Sequence, residues 1–91
     1  MTDTTKIEVA VYLPDDDGAV GVRCKARKQT MYRWEYCKDP IGVNPWIIAN
    51  TTSASSSFIG GLDSNVMYWF RVVLINNFGE TALSPKPIVT L

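Results

Sequence analysis

The stretch MYWFRVVLINNFG, residues 67–79, constrains the fold more than any other part of this sequence. The apolar run from Val66 to Ile75 is well short of the about 20 residues that a membrane-spanning helix needs. It is rich in aromatic and β-branched residues, which favour a pleated strand, and it ends in the turn-forming residues NNFG. The sequence therefore predicts a β-strand here, and neither a membrane segment nor a buried helix.

The two faces of this strand follow from the alternation of side chains along an extended chain. Because Arg71 must reach solvent, the opposite face is predicted to pack in the core. The core set is then Tyr68, Phe70, Val72 and Leu74, and the outward set is Trp69, Arg71, Val73 and Ile75.

Other short segments show the same two-residue periodicity: KIEVAVYL, AVGVRCKAR, MYRWEYCK and PWIIA. In MYRWEYCK the alternation places Tyr32, Trp34 and Tyr36 inward, and Arg33, Glu35 and Cys37 outward. No segment of useful length has helical periodicity.

Two further segments complete the pattern. The polar stretch NTTSASSS is predicted to be a loop, and TALSPKPIVTL is predicted to be the last strand, confined to a sheet edge by Pro85 and Pro87. Seven short strands separated by turn signals favour an all-β, antiparallel sandwich.

The segment GLDSNVMYWFRVVLINNFGETALS resembles the fibronectin type III domain, whose sixth strand carries Tyr-x-Phe-Arg-Val. The matching positions are Leu62, Tyr68, Phe70, Arg71, Val72, Asn76, Gly79 and Ser84. The resemblance implies one fibronectin type III-like domain over residues 1–91, with its core at about 6–91. The implied fold is an immunoglobulin-like, seven-stranded antiparallel β-sandwich in which strands A, B and E face C, C′, F and G.

Two structural expectations come with this resemblance. Tyr68 occupies the tyrosine-corner position, so its hydroxyl should bond the backbone between Leu62 and Asn65. The family usually has a tryptophan in the second strand, where this chain has Cys24. We expect Trp34 of the facing strand to fill the missing volume.

Composition excludes several functions. Among the 91 residues, nine cations balance nine anions and there is no histidine, so no net field attracts nucleic acid and the commonest general base is absent. No catalytic pair or glycine-rich phosphate loop can be assembled, and no cofactor, metal or small-molecule substrate is expected. No signal peptide is visible, and the compartment stays unassigned.

Several short clusters favour ordinary structural roles. The run Asp15–Asp17 is expected to be a solvated turn, Arg23–Lys28 a solvated strand face, and Asn50–Thr52 a chance glycosylation triplet. Cys24 and Cys37 are expected to be free thiols, the first inward and the second at the surface.

The outer face of the sixth strand is the candidate partner-binding surface. It combines Trp69, Arg71, Val73 and Ile75 with Arg33 and Glu35 of the neighbouring strand. Two interpretations stay open and are compatible. Trp69 is stacked between arginine stems as an internal brace, or the apolar row binds a partner.

The sequence therefore predicts a non-catalytic interaction or structural module, of the kind found as a small bacterial or phage protein, with a protein partner or self-association. The alternative is a spacer or adhesion module from a larger secreted multidomain protein.

Overall fold

The computed structural model of the chain describes residues 9–13 and 19–90. They form eight strands and no helix. The strands are β1 (Ala10–Tyr12), β2 (Val20–Arg23), β3 (Met31–Lys38), β4 (Ile47–Thr52), β5 (Ser56–Ile59), β6 (Met67–Asn76), β7 (Gly79–Ala82) and β8 (Lys86–Val89). Within these residues, no segment has the helical length and hydropathy that a membrane span requires.

The strands form two antiparallel sheets that pack face to face. One sheet has the order β1-β2-β5, and the other has the order β4-β3-β6-β7, with β8 also paired to β6. The predicted β-sandwich and its division of strands are confirmed. The expected last strand is split, because β7 pairs with the end of β6 and β8 with its beginning. Pro85 lies between the two segments, and Pro87 lies within β8 at the sheet edge.

One predicted loop is wrong. NTTSASSS was expected to lie outside the strands, but β4 extends to Thr52 and β5 begins at Ser56. Its polar side chains stabilise this arrangement. The Thr52 hydroxyl accepts a hydrogen bond from the indole of Trp34 at 2.9 Å, and Ser57 donates to the Asn50 side chain at 3.1 Å. Thus the Asn50–Thr52 triplet is part of β4, and the Asn50 side chain contacts β5 of the other sheet.

The core lies between the inward faces of the sheets, as the alternation predicted. All four inward residues of β6 are buried, together with Tyr32 and Trp34 of β3 and Val20 and Val22 of β2. Trp34 is fully buried, and Cys24 packs against the edge of the same core. β2 ends at Arg23, one residue before Cys24, and the expectation that Trp34 fills the volume at Cys24 stays a prediction.

The strand directions place the two ends of the described fold at opposite poles. Ala10 at the start of β1 pairs with Arg23, whereas Val89 at the end of β8 pairs with Met67. Arg23 precedes the connection to β3, and the start of β3 pairs with the far end of β6. β1 and β8 therefore run in the same direction along the sandwich.

A tyrosine covers a glycine on the solvent side of the three-stranded sheet. Gly21 lies between Tyr12 and Phe58 in the register, and the two rings meet edge to face at 6.2 Å. A Cβ atom on Gly21 would lie only 2.2 Å from Cζ of Tyr12. The absence of a side chain at this position therefore permits the ring to lie flat across β2.

Candidate interaction surfaces

The turn before β6 is held by the Tyr68 side chain. Its hydroxyl accepts a hydrogen bond from the backbone N–H of Asp63 at 2.9 Å, as the tyrosine-corner interpretation predicts. Leu62 is buried beside it. The hydroxyl of Thr90 accepts from the N–H of Val66 at 3.1 Å, so the turn is also anchored to the end of β8.

The outer face of β3 and β6 is covered by a charge cluster centred on Glu35. Its carboxylate accepts from Nε of Arg33 at 2.8 Å and from Nε of Arg71 at 2.6 Å. Arg33 also reaches Glu80 on β7, with nitrogen–oxygen distances of 3.2 and 3.3 Å. The hydrogen bonds to Glu80 and then Glu35 raise the pKa of the Arg33 guanidinium. The cluster links three neighbouring strands and leaves its charges paired.

Two tryptophans flank this cluster. The Arg71 guanidinium lies 4.3 Å from the centroid of the Trp46 ring, within the range of a cation–π contact. The indole of Trp69 instead donates to the Asp39 carboxylate at 2.7 Å. An arginine–aromatic stack is therefore present on Trp46, whereas the brace interpretation, one of the two left open, had placed it on Trp69.

Three side chains predicted to be exposed on this face are buried. Val73 is 4% exposed, Cys37 is 1% exposed, and the Glu35 side chain is enclosed by the two arginines. Each points to the predicted outer face, but indole rings and arginine stems spread across that face. Trp69, Arg71 and Ile75 are half-buried. Alternation predicted the face on which these side chains lie, but it did not predict that neighbouring side chains bury them.

Both cysteines are free thiols, as expected. Burial raises the pKa of each thiol, against the opposing effect of Arg27 near Cys24 and Arg71 near Cys37. Cys24 is half-buried and Cys37 is buried, so the predicted order of their accessibility is wrong.

The other clusters carry little chemistry. Arg23, Lys25 and Arg27 are exposed, but β2 ends at Arg23, so the expected row along one strand face is wrong. The Asp15–Asp17 run lies outside the described residues. Within the described part of the chain, no group of three or more His, Cys, Asp or Glu side chains could hold a metal ion.

One continuous segment on the β4–β5 side of the sandwich contains no charged residue. The 23 residues from Pro40 to Leu62, bounded by Asp39 and Asp63, include no Asp, Glu, Lys or Arg. We call this segment the uncharged edge. It comprises the connection from β3 to β4, the strands β4 and β5, and the turn after β5. Each of these two strands lies at the edge of its own sheet.

Large apolar side chains are exposed along the uncharged edge. Ile48 is 58% and Phe58 is 63% exposed, and Ile41, Val43 and Ile47 are exposed as well. A run of exposed apolar side chains without intervening charges is typical of an interaction site. Sequence reasoning missed this surface, although the charge-free interval was its visible signal. It also missed Trp46, Asp39 and Glu80 as partners of the outer face.

A pocket of about 280 Å³ opens at one end of the uncharged edge. Tyr36 and Tyr68 form its aromatic wall, and Ile47 and Leu62 contribute apolar surface. At its side, Lys38 and Asp63 form an ion pair at 2.8 Å. Hydrogen bonding to Lys38 lowers the pKa of the Asp63 carboxyl, and the same contact raises the pKa of Lys38.

Comparison with known proteins supports the fold. No protein-family model matches the sequence, and no curated protein matches it significantly. Among solved structures, the fn3 domain of human collagen alpha-1(XX) chain is 21% identical with a TM-score of 0.66, over 92% of this chain and 78% of that domain. A structure titled "Myokine structure" is 17% identical with a TM-score of 0.71, over 93% of this chain and 95% of that one.

A longer neighbour contains the same fold as one part. The twitchin kinase region from C. elegans is 23% identical over 81% of this chain, with a TM-score of 0.68, and the match spans only 14% of that region. The sheets, strand order and these likenesses define an immunoglobulin-like β-sandwich. Within that class, the chain has a fibronectin type III-like fold, as its sequence predicted.

Proposed function

We propose that this chain is a non-catalytic protein-interaction module that contacts its partner through the uncharged edge. The observation that carries the proposal is the exposure of Ile47 and Ile48 on an edge strand that contains no charged residue. Exposed apolar area can supply binding free energy of roughly 25 cal/mol per Å² covered, before the cost of association.

The outer face of β6 is the competing surface. Its arginines are already paired with Glu35 and stacked on Trp46, and Val73 is buried, which leaves less apolar area for a partner. Contact through Trp69 and Ile75 stays a prediction from the sequence. This prediction and the edge proposal expect different substitutions to weaken binding.

A spacer role is the second candidate. Fibronectin type III-like folds occur inside longer chains, as the small share of the twitchin region covered by this match illustrates. A spacer needs a folded domain whose ends leave at opposite poles, and the register of β1 and β8 provides this geometry. It needs no exposed apolar edge.

The test compares partner capture by matched variants. Ile48→Lys places a charge on the uncharged edge, and Phe78→Lys makes the same kind of change at the β6–β7 turn, where Phe78 is 98% exposed. The edge proposal expects capture to fail with Ile48→Lys and to persist with Phe78→Lys.

A third variant tests the outer face. Trp69→Ala combined with Ile75→Asp should leave capture intact if the edge is the contact surface. Loss of capture with this variant, but not with Ile48→Lys, would move the contact to the outer face. A folded protein with equal capture in all variants would favour the spacer. Circular dichroism and thermal melting of each variant establish that it is folded.

A further inference from the structure

We propose that the uncharged edge binds the same edge of a second copy of this chain, with the two β4 strands antiparallel across a two-fold axis. This inference rests on the proposed function and names the partner of that surface. Four features of the molecule support it: the free backbone of β4, its lack of charge, its register with β3 and the available area.

The first step concerns backbone hydrogen bonds. In the part of the chain that the structure describes, β4 is paired on one side only, with β3. An edge strand presents unpaired N–H and C=O groups that can template another strand. Among the other edges of this sandwich, β8 contains Pro87, β7 carries Glu80, which is paired with Arg33, and β1 and β5 are only 3 and 4 residues long. β4 contains neither proline nor charge.

The second step concerns self-complementarity. In a two-fold interface the same patch meets itself, so any charge at its centre faces a like charge. The sequence Ile47–Thr52 avoids this repulsion, as does everything from Pro40 to Leu62. The net charge of zero also removes long-range repulsion between two copies.

The third step concerns the register of β4. A bulge interrupts its pairing with β3, because Asn50 lies opposite Trp34 while Ile48 lies opposite Glu35. A bulge bends an edge, so the ladder between two copies is short. The exposed Ile47 and Ile48 side chains, which lie on opposite faces of β4, supply most of the affinity.

The fourth step concerns area. A stable interface takes about 800 Å² from each partner, which is about a seventh of the accessible surface of 5681 Å². The uncharged edge holds 23 of the 91 residues and several of the most exposed apolar side chains. The short ladder favours a dimer that exchanges with monomer.

The experiment is sedimentation equilibrium of the full chain from low to high micromolar concentration. We expect a monomer–dimer equilibrium whose dissociation constant rises at least tenfold with Ile48→Lys, because two-fold symmetry introduces the substitution twice. Phe78→Lys should leave the constant unchanged. Amide exchange at high concentration should protect residues 47–52 relative to low concentration.

Each outcome decides the matter. A wild-type monomer throughout overturns the dimer, and equal weakening by both lysine variants overturns its contact through the uncharged edge. Dimerisation without concentration-dependent protection of residues 47–52 overturns the β4 pairing. If the dimer fails while Ile48→Lys still abolishes capture of another protein, the proposed interaction function survives. If the dimer fails and Ile48→Lys also leaves the capture of another protein unchanged, then both the dimer and the proposed interaction function are wrong.

Discussion

Replacing Glu35 by glutamine tests whether the charge cluster on the outer face stabilises the fold. The substitution keeps the volume and one carbonyl oxygen but removes the negative charge between Arg33 and Arg71. Removing one partner of a buried ion pair costs about 3–5 kcal/mol when the other charge stays enclosed. Here the arginine side chains are 24% and 28% exposed, so water reaches both.

Solvent access and the remaining partners reduce this cost. Arg33 keeps Glu80, and Arg71 keeps its stacking on Trp46. We therefore expect Glu35→Gln to lower the free energy of unfolding by about 2 kcal/mol. In a domain of this size, that loss lowers the melting temperature by about 8–16 °C.

Urea denaturation and thermal melting measure the effect. Glu80→Gln is the matched control, because it is the same chemical change at the exposed end of the cluster. Its midpoint should stay close to that of the wild type. A double-mutant cycle between Glu35→Gln and Arg71→Met should give a coupling well above experimental error. Equal small shifts for Glu35→Gln and Glu80→Gln would refute the idea that the cluster braces the three strands.

Three further outcomes follow from the geometry. Tyr68→Phe should destabilise the fold by about 1–2 kcal/mol, because the Asp63 N–H loses its acceptor; an unchanged urea midpoint would contradict this. Both thiols should react with a disulfide reagent after denaturation, whereas in the native protein Cys24 should react well before Cys37. Mass spectrometry locates the labelled cysteine. Rapid labelling of Cys37 in the native protein would show that its burial is not retained in solution. Gly21→Ala should displace the Tyr12 ring, so Tyr12→Ala should cost less stability in the Gly21→Ala background than in the wild type; additive melting shifts would be evidence against this packing.

The fold was predictable because alternation is a local property of a strand. The inward positions of β3 and β6 follow from the residue types alone, and Tyr68 followed from its place at the start of β6. The end of β4 was not predictable in this way. Asn50 and Thr52 look like loop residues, but each makes a hydrogen bond across the structure that only the folded register brings together.

The burial of side chains on the outer face likewise depends on tertiary contacts. Cys37 lies opposite Trp69 in the register, and Val73 lies opposite Arg33, so large neighbours surround two small side chains. The alternation of side chains along a single strand does not show which neighbouring side chains will surround them. The uncharged edge differs, because its composition is visible in the sequence and only its position in the fold requires the structure.

The parallel course of β1 and β8 determines how the domain would respond to a pulling force. Tension applied near Ala10 and Val89 acts on opposite poles and runs along the strands. The hydrogen bonds between β8 and β6 lie across that direction, so they share the load in shear and must break together. Bonds loaded in this way resist extension far better than bonds that open one after another. The split between β7 and β8 limits this mechanical clamp to the four residue pairs from Met67 to Phe70.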